Sequence, residues 1–203
     1  METKPHILPD AAVKGIASGL MLMALFTFLW SGIAFGGLNG TIYQWFLLVF
    51  PALAVLFIFK GLFLYKLAKH FPKVTSEADI AEEKKMGKWF GIIFGAEGLL
   101  IFVGINIVIN LGHPDLVIPT IALVVGLHFY PLAKVFKRTI DYYLATWATI
   151  IAICGFVFTL NKTMPVIYIQ AFIGIGIAFA TAGYGLYMIS AGNEVARKVP
   201  LTS

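Results

Sequence analysis

The stretch LVIPTIALVVGLHFYPLAKVFKR (residues 116–138) decides which solvent this chain folds in. It stays apolar from Leu116 to Phe136 but for Thr120, His128 and the basic Lys134, and Lys137 and Arg138 follow it. About 20 apolar residues in a helix cross the ~30 Å hydrocarbon core of a bilayer. A strand in lipid would alternate polar and apolar residues, and this run does not. Helices and closed barrels are the two ways to satisfy every backbone N–H and C=O there. The run therefore reads as a transmembrane helix with cations at one end.

Five more runs share this character. Together the six cover about residues 13–36, 42–66, 89–111, 116–136, 141–160 and 165–190. Most connectors are short and rich in turn formers: GGLNGT after the first run, LGHPD after the third, LNKTMP after the fifth. Of 203 residues 60% are hydrophobic and 12% charged, against about 25% charged in a soluble domain. The expected fold class is all-α: a polytopic bundle of six transmembrane helices forming one integral membrane domain over residues 1–203. A secretory signal peptide is the rival reading of the first run. That run is long, and it lacks a small-residue cleavage site. The lone Cys154 excludes an internal disulfide and sits in an apolar run, as an inert buried thiol does.

Charge supplies an independent check. Lys4 and Lys14 precede the first run, and the lysines from Lys60 to Lys88 lie at or between runs two and three. Lys134, Lys137 and Arg138 follow run four, and Arg197 and Lys198 follow run six. With six crossings, all these fall on one side, and of the 15 basic residues Lys162 alone falls on the other. A miscounted span would scramble that parity. The positive-inside rule places both termini in the cytoplasm. It also explains the net charge of +5 without nucleic acid. Trp30, Tyr43 and Trp45 read as the outer aromatic belt, and Tyr65, Trp89, Tyr130 and Tyr142 as the inner one.

The main polar segment is KHFPKVTSEADIAEEKKMGK (residues 69–88). Pro72 ends the preceding helix, and Ser76 with Asp79 resembles a helix start. The spacing predicts a short cytoplasmic helix continuing into the third span. Its lysines form either a solvated charged face or a docking or anionic-lipid site at the inner leaflet. YKLAK (65–69) and YPLAK (130–134) end runs two and four, which hints at a repeat of parallel hairpins.

Lipid gives helices no hydrophobic reason to associate, so small residues and polar contacts must supply it. Gly15/Gly19, Gly32/Gly36, Gly91/Gly95 and the Gly174, Ala178, Ala182 series have the spacing of flat packing faces. They serve packing within the chain or a homo-oligomer. Pro51 and Pro131 lie inside runs, where each is a candidate helix kink.

Glu97 and His128 are the titratable side chains that lie away from the span ends. Glu97 lies nine residues past Lys88, about 13 Å along its helix, and His128 six before Lys134, about 9 Å from the same side. Their depths agree within about one turn, so a Glu97–His128 pair is the candidate polar site. Such a pair can share or relay a proton. The structural alternative has Glu97 pinning its helix to a neighbour and His128 bonding the carbonyl freed by Pro131. Asn106, Asn110, Thr146, Thr149 and Gln170 read as helix-to-helix hydrogen-bonding groups, and Lys60 snorkels to the interface. No HExxH, paired intramembrane aspartates or phosphate-binding glycine loop occurs, and GIASG (15–19) lacks the glycine of a rhomboid-type serine motif. The histidines are too dispersed for a metal centre. No enzyme activity, cofactor or metal is expected.

Gly126, Leu127, His128, Phe129, Pro131, Leu132 and Ala133 form a GLHF-x-PLA pattern. It resembles a motif of an uncharacterised bacterial family of small multi-span membrane proteins. The resemblance covers about a dozen residues and implies an integral bacterial membrane protein without a stated substrate. The chain also resembles small stress-associated membrane proteins in size and span number. Two functional readings follow. One is a small proton- or ion-linked transporter or channel using Glu97 and His128. The other is a non-transporting scaffold or stress-associated protein acting through helix contacts.

Overall fold

The computed structural model describes residues 10–73 and 77–197, and all regular structure within them is helical. Six helical segments are long and apolar enough to cross a membrane. They are α1 (Asp10–Gly37), α2 (Val49–Ala68), α3 (Glu77–Asn110), α4 (Val117–Phe136), α5 (Thr139–Leu160) and α6 (Val166–Ala196). The capping role read for Ser76 and the Asp79 side chain lies outside the described residues, as do Lys4 and Lys198. The charged segment from Glu77 onward is one continuous helix with the third span.

The second crossing is composite. A 3₁₀ segment, Ile42–Leu48, precedes α2. Pro51 stands in the first turn of α2, inside the crossing, where the 3₁₀ segment gives way to the α-helix. Pro131 lies inside α4.

Three helices end in the same way. At the end of α3, His113 N–H donates to the Val108 carbonyl (2.9 Å) and Gly112 N–H to Ile109 (3.0 Å). Gly112 has φ +81°, the left-handed residue such a cap needs. Lys162 (φ 51°) takes that place after α5 and Lys137 (φ 53°) after α4. Glycine would hold either position at lower cost.

Packing is uneven. Helix α6 touches α1, α5, α2 and α4, with its most extensive interface on α1, whereas α3 packs mainly on α4. A Cβ added at Gly174 would sit 2.8 Å from the Trp30 carbonyl oxygen and 2.7 Å from the Ala34 nitrogen, so α6 lies directly on the α1 backbone. Ala178 and Ala182 are buried along the same helix. Beside them Thr27 donates to Thr181 Oγ1 (2.9 Å), and Thr181 bonds back to its own helix. Gly126 gives α4 the same close approach to the Ala148–Thr149 backbone of α5.

Of the two uses read for the other small-residue pairs, packing within the chain does not hold for most of them, and the homo-oligomer alternative is left open. Gly19 does pack, on the Met188 side chain, but a Cβ at Gly15, Gly32, Gly36, Gly91 or Gly95 would meet no neighbouring atom within 4 Å. Their spacing is right and their rotation is wrong: those faces look outward. Trp30 is likewise not a belt residue. It is 4% exposed, in the α1–α6 core, whereas Tyr43 and Trp45 are exposed. The outward surface is apolar around the bundle, with Phe28, Phe59, Phe102, Ile153 and Phe179 all exposed. Water would not tolerate so much contiguous apolar surface, but lipid does.

The start of α1 meets the end of α2, where Asp10 N–H donates to the Pro72 carbonyl (3.0 Å) and Ser18 Oγ lies 2.7 Å from Tyr65 Oη. The end of α1 meets the start of α6 at Gly37 and Ile167. Consecutive helices thus alternate in direction and gather the described basic residues, apart from Lys162, at one end.

Candidate functional site

The candidate site forms on the α3–α4 hairpin. Glu97 lies fifteen residues before Gly112 and His128 sixteen after it, so the tight cap at Gly112 returns α4 at matching depth. Glu97 Oε1 and His128 Nδ1 lie 3.3 Å apart. Both residues are buried, at 6% and 8% exposure, while the next residues of α3, Leu99 and Leu100, are exposed. The edge helix thus turns its carboxyl inward, to the seam with α4.

The contact is close but not locked. A charge-assisted N–H···O bond runs about 2.7–2.9 Å. Here Nδ1 makes no in-line hydrogen bond among the described residues. No hydrogen bond joins His128 to the Leu127 carbonyl freed by Pro131. The imidazole is instead held by aromatic rings: Phe94 edge-on at 5.7 Å and Phe129 at 4.3 Å between centroids.

Charge balance sets the chemistry. With one proton shared between carboxyl and imidazole, beyond the proton the neutral ring already carries, the pair is neutral overall. Without it, a bare carboxylate remains in a low-dielectric seam, which costs several kcal/mol. The arrangement can hold, accept and release one proton.

Toward the basic end the seam is stopped by phenylalanines. Phe90 lies 4.6 Å from Phe94 and 6.0 Å from Phe136, filling the turn between the pair and the membrane surface. Beyond these rings the seam widens into an open cavity on the surface, of about 540 Å³, lined by Glu82, Lys85, Met86, Trp89, Lys134 and Lys137, with Ala81 and Val135.

A second polar cluster escaped the sequence reading. Asp141, 1% exposed in the first turn of α5, accepts from Arg138 Nε at 3.1 Å. The Arg138 guanidinium lies 4.4 Å over the Phe136 ring and 5.5 Å over the ring of Tyr184 from α6. Asp141 Oδ1 and the Tyr184 hydroxyl are buried without hydrogen-bond partners among the described residues. An Arg–Asp pair at i, i+3 opening a helix is a readable signal for this cluster. A cavity of about 10 Å³, near the size of one water, lies against Phe129, Thr181 and Tyr184.

The remaining polar groups divide. Tyr130 and Thr146 bridge α4 and α5 at 3.1 Å, as expected of helix-to-helix contacts. Asn106 and Asn110 do not bridge helices: each donates to a carbonyl one turn back on α3, Phe102 and Asn106 respectively, both at 2.7 Å. Gln170 is half-buried, with no side-chain hydrogen bond among the described residues, and Lys60 is half-buried on α2. No group of three or more His, Cys, Asp or Glu residues able to hold a metal occurs among the described residues. Compared with known protein families, curated proteins and solved structures, the chain matches none.

Proposed function

We propose that this protein is a small proton- or ion-linked transporter or channel of a bacterial cytoplasmic membrane, with its basic end and both termini in the cytoplasm. Its working group is the Glu97–His128 pair. The observation that carries this reading is a carboxyl and an imidazole 3.3 Å apart, both buried, on a helix that packs mainly on one neighbour. Protonation and closure of the seam are then linked. A neutral pair stays dry, whereas a charged one draws in water or parts, and the edge position of α3 lets the seam open. The Phe90–Phe94–Phe136 cluster is the barrier a proton or ion must pass to reach the basic side. Proteoliposomes test it: Glu97→Gln is expected to abolish a pH-dependent flux while the protein keeps its helical content. Unchanged flux would remove the carboxyl from the mechanism.

The closed packing of the pair favours a second reading, a non-transporting scaffold in which Glu97 and His128 only fasten α3 to α4. There Glu97→Gln lowers thermal stability and no flux exists to lose. Contacts to a second copy or another membrane protein would then use outward faces such as Gly91/Gly95. The Gly174 and Ala178 face is already spent within the chain.

A further inference from the structure

The cavity at the basic end of the α3–α4 seam has chemistry of its own. Its volume, about 540 Å³, lies in the range of ligand sites. Glu82, Lys85, Met86 and Trp89 come from α3, Lys134 from the last turn of α4, and Lys137 from the position that follows it. Among the described lining residues, three are lysines and one is a carboxylate. None of the three lysines is ion-paired among the described residues, where the salt bridges are Lys14–Asp10, His128–Glu97 and Arg138–Asp141. Trp89 is half exposed beside them, where an indole ring prefers the level of lipid headgroups.

Lys137 adds a second observation. It holds the left-handed position after α4, where glycine would be cheaper, and its side chain lines the cavity.

We propose that this cavity binds the headgroup of an anionic phospholipid from the leaflet at the basic end. Lys85, Lys134 and Lys137 would hold the phosphate and Trp89 would lie along the glycerol and upper acyl region. The charge complementarity and the position of Trp89 at the lipid boundary select this occupant. An inorganic anion would use the lysines but has no need of Trp89 or Met86. The inference is independent of proton transport, since the phenylalanine rings lie between the cavity and the Glu97–His128 pair.

The experiment is a titration of purified, delipidated protein in neutral detergent, read by native mass spectrometry. The probes are phosphatidylglycerol, phosphatidylcholine and inorganic phosphate. Wild-type protein is expected to retain phosphatidylglycerol over phosphatidylcholine, and inorganic phosphate is not expected to displace it. Each lysine removed, in Lys85→Gln, Lys134→Gln or Lys137→Gly, should weaken retention roughly fivefold. Lys137→Gly also relieves the backbone, so it tests the site in a protein that folds at least as well. Glu82→Gln should tighten binding. Lys66→Gln with Lys69→Gln, a charge change outside the cavity, should leave retention unchanged. Equal loss in that control would reduce the effect to general surface charge and overturn the proposal. Undiminished retention in the cavity variants, or displacement by inorganic phosphate, would overturn it as well.

Discussion

The α1–α6 and α3–α4 seams solve one problem in opposite ways. Helix α6 meets α1 through missing side chains: Gly174 rests on the Trp30–Ala34 backbone, and a single hydroxyl bond, Thr27 to Thr181, lies beside it. Helix α3 meets α4 with its GxxxG pair, Gly91 and Gly95, turned outward; Gly104 lies against Thr120, and a buried acid–imidazole contact occupies the seam. In lipid, close backbone approach gives dispersion contact that lasts whatever the protonation state. A polar pair holds only while its charges balance. On the proposed function, the first seam is permanent and the second conditional.

The sharpest way to break this contrast is Gly174→Leu. Its side chain would run into backbone that cannot move aside, so a loss of about 3 kcal/mol or failure to fold is expected. Thermal unfolding in detergent checks this, and a stable Gly174→Leu protein would show that α6 does not rest on α1 as described. Glu97→Gln comes next. Interhelical polar contacts in membranes average ~0.6 kcal/mol and reach about 1.7, so about 1 kcal/mol is expected for a pair this buried. A double-mutant cycle with His128→Asn should return a coupling of that order. Purely additive losses would mean that the two side chains are neighbours and nothing more. Thr181→Val should cost about 0.6 kcal/mol with no dependence on pH, measured in the same unfolding assay. Gly91→Leu and Gly95→Leu should lie within about 0.5 kcal/mol of wild type, because both positions are open. A large loss at either would place an unseen helix or second copy on that face.

Depth was legible in the residues, and azimuth was not. Apolar runs and the count of cations fix how many times the chain crosses and where each residue sits along the membrane normal. Residue counting alone thus put Glu97 opposite His128. Which way a helix face points depends on its neighbours, and nothing local to GKWFGIIFG reveals that Gly91 and Gly95 look outward. The same blindness put Trp30 in a belt when it lies in the core. It also sent Asn106 and Asn110 across to other helices when each bonds back to its own. Asp141 was missed for a different reason. A charge at a span end reads as solvated, and its burial comes from α6 bringing Tyr184 over Arg138, a contact between residues more than forty positions apart.

Because α1 finds its main partner in α6, the bundle cannot close in the order in which it is made. While the ribosome is still adding α2 to α5, the first helix waits in the bilayer with Thr27 and its glycine-receiving groove uncovered. The α1–α2 interface can form early, whereas the α1–α6 interface has to wait for the last helix. A nascent chain halted before Val166 would be left for whatever membrane chaperone or protease surveys half-built bundles.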